Sequence, residues 1–182
     1  METMIAPPHP PLERLTKFEL PHRFAMIRPL REDDNLALEW QGGVDLRTWY
    51  GLQWERHLHG DVHVLVVDYN GFPIAQSAIH WSGKPSHPLI PDIQSLRVFP
   101  AFRGMGIGSH LLNACEDMVR ERGFSHVSLA VALENPRARS LYERVGYQAV
   151  GEPYDDIWHY VNQRGEVVHL SEVVIDLVKD LR

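Results

Sequence analysis

The apolar positions of the chain recur with two periods, and the changes between them outline the elements. RFAMIRPL (residues 23–30) has the apolar character of a first strand ending near Pro29. VHVLVVDYNG (62–71) is rich in β-branched residues and closes on Asn70-Gly71, a pair that favours the tight turn of a hairpin. FPIAQSAIHW (72–81) is therefore predicted to return as an antiparallel strand, SGKPSHPLIP to form a proline-interrupted loop, and DIQSLRVFP to be a strand halted by Pro100. Between the first two strands, REDDNLALEWQ reads as a helix capped by Asp33 or Asp34 and broken by Gly42-Gly43, and LRTWYGLQWERHLHG as a second helix. Helical spacing is clearest at Ile107, Leu111, Cys115, Met118 and Val119, with Gly123 suited to stop that helix. HVSLAVAL (126–133) reads as a buried strand. Asn135, Pro136 and Gly146 then punctuate a short helix as N-cap, first helical residue and C-terminal stop. YQAVGEPYDDIWHYV and EVVHLSEVVIDLVKDL close the chain as strands. The pattern predicts an α/β (α+β) domain whose early strands are mostly antiparallel.

Composition narrows the picture. The 182 residues suit one domain, here 23–182, preceded by an extension over 1–22 that holds five prolines. No secretory leader or membrane span is expected, because no stretch approaches the ~20 apolar residues a span requires. The expected location is cytoplasmic. Cys115 is the only cysteine, which excludes an internal disulfide, a CxxC pair and a Cys-rich zinc site. A net charge of −6 makes a poor general nucleic-acid binder and a more natural partner for a cation.

The chemistry centres on Arg103-Gly104-Met105-Gly106-Ile107-Gly108-Ser109, between a strand and an amphipathic helix. Glycines let the backbone turn tightly and let a ligand approach the amides. The first helical amides lack intrahelical partners and lie at the positive end of the dipole, so the turn suits a phosphate. It is not a P-loop, since no lysine follows Gly108. It is not the GxGxxG dinucleotide turn either, since Ser109 stands where the third glycine would fall. His57, His59 and His63 read as surface histidines around a turn rather than metal ligands. HExxH and GxSxG are absent, and no metal is expected.

SLRVFPAFRGMGIGSHLL resembles motif A of the GNAT superfamily of N-acetyltransferases, Arg/Gln-x-x-Gly-x-Gly/Ala, through Arg103, Gly106 and Gly108. ENPRARSLYERVGYQAVGE resembles the next family motif through Asn135, Ala138, Leu141, Tyr142, Gly146 and Tyr147. Both occur in order, separated by one helix and one strand. The resemblance implies a mixed, mostly antiparallel sheet flanked by helices and splayed at the cofactor site.

It also implies that acetyl-CoA is the acetyl donor. The amides from Gly104 to Ser109, including Met105 and Ile107, would hold its pyrophosphate with Arg103 nearby. The strand Ser95–Val98 would pair with the pantetheine arm, Leu96 and Val98 making the contacts while the Arg97 side chain leaves the opposite face. Near Leu96 a backbone amide would polarise the thioester carbonyl. Asn135 would cap its helix beside the cofactor. Tyr142 would protonate the departing thiolate and is the candidate general acid; Asp92, eleven residues before Arg103, is a candidate base. Glu152, Asp155 and Asp156 are further carboxylates that could face an amine. Trp40, Trp49, Tyr50 and Trp54, with Tyr154, Trp158 and Tyr160, either wall an acceptor site or pack the core. The expected function is acetyl transfer from acetyl-CoA to a small-molecule or peptide primary amine, by direct attack in a ternary complex. A non-catalytic acyl-CoA-binding or sensing module of the same fold is the alternative. Homodimers are common in the family; the sequence leaves that open.

Overall fold

A computed structural model of the chain describes residues 16–20, 23–41 and 47–182. Its centre is an eight-stranded sheet in the order β1-β2-β3-β4-β7-β8-β10-β9. The strands are β1 (Thr16–Leu20), β2 (Arg23–Pro29), β3 (Val62–Tyr69), β4 (Phe72–His80), β7 (Asp92–Val98), β8 (His126–Ala132), β9 (Gln148–Val161) and β10 (Val167–Asp180). Residues Thr16–Leu20 of the proline-rich start thus pair with β2 at the sheet edge. Among the described residues the α-helices are α1 (Asp34–Ala37), α2 (Arg47–His59), α3 (Ile107–Glu121) and α4 (Pro136–Arg144). The Gly42-Gly43 break lies outside the described residues. Among the described residues no helix is long and apolar enough to cross a membrane.

Two predictions from local pattern need correction. The first helix is only one α-turn, Asp34–Ala37, followed by a 3-10 turn, Leu38–Gln41. Asp34 does not cap it. The Asp34 carboxylate instead accepts from the Arg31 amide and takes both Arg28 guanidinium nitrogens at 2.6 and 2.8 Å, while Arg28 Nε reaches Asp68 at 2.8 Å. The loop SGKPSHPLIP is not irregular: β5 (Gly83–Lys84) and β6 (His87–Pro88) make a small hairpin. Gly83 is essential to it, since its φ is +70° and an added Cβ would lie 2.5 Å from the carbonyl oxygens of His87 and Ile90.

The sheet buries a separate core on each face. Ile93, Leu129, Ile175 and Leu177 project into the core that α3 and α4 cover with Ile107, Leu111, Leu112, Cys115 and Tyr142. The other core joins Leu30, Leu38, Tyr50, Val62, Val64 and Val66, packed by Trp40, Trp49, Trp54 and Tyr160. Trp40, Trp49, Tyr50 and Trp54 of one predicted acceptor wall and Tyr160 of the other therefore meet in one cluster and pack the fold. Alternation along the strands sends Asp92, Ser128 and Asp176 to the face opposite Ile93, Leu129, Ile175 and Leu177.

The histidine reading also changes. His57 and His63 are buried; His57 Nδ1 accepts from the Val64 amide, and His63 Nδ1 accepts from Trp81 Nε1 at 2.8 Å. Burial lowers the His57 pKa, and burial together with nearby Arg56 lowers that of His80 to about 4, although Asp92 opposes the shift. An unfolded histidine titrates near ~6.5, so between that pH and about 4 the unfolded chain binds protons that folded His80 resists. Stability is therefore expected to be highest above pH ~6.5 and to fall as the pH drops toward 4. Urea unfolding from pH 7 to 4.5 checks this: His80→Gln should lose about 2 kcal/mol less than the parent over that range.

Candidate active site

β7 and β8 are the sheet's one parallel pair among the described strands, joined by the crossover through α3. They pair only at Asp92–Ser128 and Ile93–Leu129, and beyond that point the ladder ends. The result is a V, closed at Asp92 and open toward the turn that starts α3. Where the V opens, β7 also carries a bulge. Ser95 has φ +54°, and the register against β4 slips between Gln76 and Ala78. A bulge leaves one residue out of the ladder and re-aims the backbone there. Ser77 Oγ donates to the Gln94 carbonyl beside it.

The glycine turn closes over this opening. Gly104 and Gly106 have φ of +86° and +79°, which a side-chain-bearing residue adopts only with strain. Gly106 is the N-cap of α3, and no side chain caps the helix, so its leading amides stay available to an anion. At Gly108 a Cβ would sit 3.6–3.8 Å from Leu96, Leu141 and Val98 side chains, so α3 starts against β7 and α4. Ile107 is buried, anchoring that first turn, whereas Met105 is exposed. Ser109 is half-buried in the same turn.

Arg103 is exposed, and its Nε donates to the Val98 carbonyl at 3.0 Å, bracing the turn. A second cation stands by, which the sequence reading missed. Arg137, exposed in the first turn of α4, has its guanidinium 3.8 Å from where a Gly104 Cβ would be. Its position two residues after Asn135 was the available signal. Asn135 Oδ1 accepts from the Ala138 amide at 3.1 Å, so it caps α4.

Tyr142 lies on the α3/α4 face, 7% exposed, its ring 5.9 Å from that of Tyr147. The hydroxyl has no partner among the described residues. Burial, with Cys115 close by, pushes the phenol up to about 12, so it is protonated at neutral pH. Cys115 itself is fully buried, and burial raises its thiol to about 12, far from an exposed nucleophile.

Asp92 is buried, with every side of its carboxylate engaged. Ser128 Oγ donates to Oδ1 at 2.7 Å, Gln94 Nε2 donates to Oδ2 at 2.9 Å, and Lys84 Nζ lies 3.1 Å from Oδ1. That arrangement ties the closed end of the V together. Arg97 and Gln94 are exposed on the same face, Arg97 within electrostatic reach of Tyr50 on α2. Glu152, Asp155 and Asp156 are exposed along β9.

The profile of the Acetyltransferase (GNAT) family matches residues 25–147, which span both motifs, the V and the glycine turn. The chain belongs to the GNAT acetyltransferase family. An uncharacterized N-acetyltransferase of Methanocaldococcus jannaschii is 33% identical to this GNAT protein over 85 residues, 46% of this chain and 38% of the relative. Thialysine N-epsilon-acetyltransferase of Bos taurus is 30% identical over 103 residues, 57% of this chain and 55% of the relative. The matched stretch thus spans about two-fifths to just over half of these curated relatives. An N-acetyltransferase from Staphylococcus aureus Mu50 superposes with a TM-score of 0.66 at 16% identity, covering 87% of this chain and 99% of that one. The yncA protein of Salmonella typhimurium, solved with its cofactor acetyl-CoA, gives 0.63 at 18% identity, covering 87% and 94%. These likenesses show the fold: a mixed α/β sheet with flanking helices.

Proposed function

We propose that this GNAT protein transfers an acetyl group from acetyl-CoA to a primary amine by direct attack within a ternary complex. The observation that carries this reading is the V between β7 and β8, with a bulge at Ser95 facing an uncapped, glycine-rich helix start. The pyrophosphate would sit on the amides from Gly104 to Ser109, with Arg103 and Arg137 beside it. From there the pantetheine arm would follow Leu96–Val98 toward the closed end of the V, bringing the thioester beside the bulge. An amide freed from the ladder near Leu96 would receive the carbonyl oxygen as negative charge develops.

The amine lone pair then forms a C–N bond to the acetyl carbon, and collapse breaks the C–S bond. Tyr142, protonated and on the α3/α4 face, would give its proton to the leaving sulfur. The proton that nitrogen sheds on collapse restores the phenol. Buried Cys115 favours direct transfer over an acyl-enzyme. The catalytic unit in this reading is residues 23–182, with Thr16–Leu20 adding an edge strand.

Mixing the protein with acetyl-CoA and a panel of amines, with free-thiol detection, tests the reading. Amine-dependent thiol release is expected. Acetyl-CoA binding without release from any amine would instead indicate a non-catalytic acyl-CoA module. Arg137→Ala is expected to raise the acetyl-CoA dissociation constant about tenfold by calorimetry, the effect of losing one charge-assisted phosphate contact. Its exposure predicts an unchanged melting temperature.

A further inference from the structure

One carboxylate gathers side chains from two separate segments. Asp176 on β10 is buried, and Lys84 Nζ lies 2.6 Å from its Oδ1. Tyr154 from β9 donates to the same oxygen at 2.9 Å. Ser86 donates to Oδ2 at 2.8 Å, and His87 Nε2 stands 3.2 Å from that oxygen. Lys84 also reaches Asp92, so the β5–β6 hairpin is pinned across β7 and β10 at the closed end of the V. The hairpin is built for one shape: Gly83 admits no side chain, and Leu89, 81% exposed, holds φ +71°. Such backbone strain persists only where the surroundings impose it.

This cluster lies on the face opposite Tyr142, the side on which Gln94 and Arg97 are exposed. His87 meets this group through Asp176 of β10, which also holds Lys84 of β5 and the Tyr154 hydroxyl of β9, and Lys84 in turn reaches Asp92 of β7. With His87 neutral the group is anionic, which suits an approaching ammonium. His87 Nδ1 has no partner among the described residues, and the side chain is 18% exposed.

We propose that His87, oriented by Asp176, is the catalytic base that deprotonates the acceptor ammonium, from the side of the sheet opposite the Tyr142 acid. The inference rests on the acetyl-transfer reading above. In the step, one N–H bond of the substrate ammonium breaks and an Nδ1–H bond forms. This leaves a neutral amine whose lone pair attacks the thioester. The resulting imidazolium is held by the Asp176 carboxylate at Nε2 and returns its proton to solvent from its exposed edge. Asp176 acts through His87 and is a positioning residue; Asp92 and Lys84 hold the hairpin to the V.

The test compares the parent, His87→Gln, His87→Ala and Asp176→Asn for amine-dependent thiol release across about four pH units around neutrality, roughly pH 5.5–9.5. His87→Gln is expected to lower kcat/KM for the amine about 10²-fold and to remove the acidic limb of its pH profile. The acetyl-CoA dissociation constant should stay at the parent value. Added imidazole should restore His87→Ala in part, and Asp176→Asn should show a smaller loss with the limb displaced. An active parent whose rate-limiting chemistry and pH profile are unchanged in His87→Gln would overturn the proposal alone. So would a slowed His87→Gln that keeps the limb, with no imidazole rescue of His87→Ala, since that marks a structural role. A parent that releases no thiol with any amine would overturn the acetyl-transfer reading, and this proposal with it.

Discussion

Tyr142→Phe is expected to lower kcat by about 10²-fold or more while leaving acetyl-CoA affinity near the parent value. The phenol sits where the two family motifs and the V converge, in a core made by α3, α4 and β8. Its hydroxyl makes no hydrogen bond among the described residues, so phenylalanine fills the same space without orphaning a donor. The folded variant should melt like the parent, which separates a chemical defect from a structural one. Burial raises the phenol to about 12, so it carries its proton across the whole neutral range. The loss in Tyr142→Phe should consequently be nearly constant from pH 6 to 9, a window well below about 12. Single-turnover mixing with a good amine isolates the chemical step. A rate equal to the parent's under those conditions would remove Tyr142 from the role.

The largest effect on stability is expected at the Arg28 triad. Arg28 and Asp34 are 3% and 5% exposed at their side chains, and Asp68 is 12% exposed. Asp34→Asn removes the carboxylate that both guanidinium nitrogens address and leaves a buried cation with only Asp68. Breaking such a pair from one side costs about 3–5 kcal/mol, a large share of the ~5–15 kcal/mol that holds a typical domain folded. Denaturant unfolding should show the midpoint falling with little change in slope. Replacing Arg28, Asp34 and Asp68 together by leucine or methionine should recover much of that loss, because no buried charge then lacks a partner. A single substitution that cost nothing would mean that water reaches the triad.

Much of the fold was legible because its signals are local. Asn135 caps α4, Pro136 opens it, and Gly106 takes the left-handed conformation the turn before α3 demands. Asn70-Gly71 closes the β3–β4 hairpin. The β5–β6 hairpin was illegible because three prolines, two serines and a glycine in ten residues look like breakers, and the pairing needs only two residues per strand. The split of the first helix was illegible for another reason. Asp34 has good cap chemistry, but Arg28 competes for its carboxylate from β2.

At the site the division is similar. Arg103 and the glycines were found by spacing, since the turn that presents them is continuous in sequence, and Tyr142 by the resemblance of the segment around it to the family motif. Asp92 was found as a carboxylate, but its engagement by Ser128, 36 residues away, depends on β7 and β8 being neighbours. Arg137 was in plain view yet acquires meaning only when α4 is folded back beside Gly104.

The sequence by itself carried the family resemblance through its two motifs, and it determined the phosphate-suited turn and the main strands and helices, because these depend on backbone preferences within a few residues. Only the tertiary structure decided which charges meet. Lys84 and Asp176 are 92 residues apart, and Tyr154 and Asp176 meet because β9 lies on β10. No residue period encodes such pairs; they follow from the strand order of the sheet and from the few ways a buried charge can be satisfied.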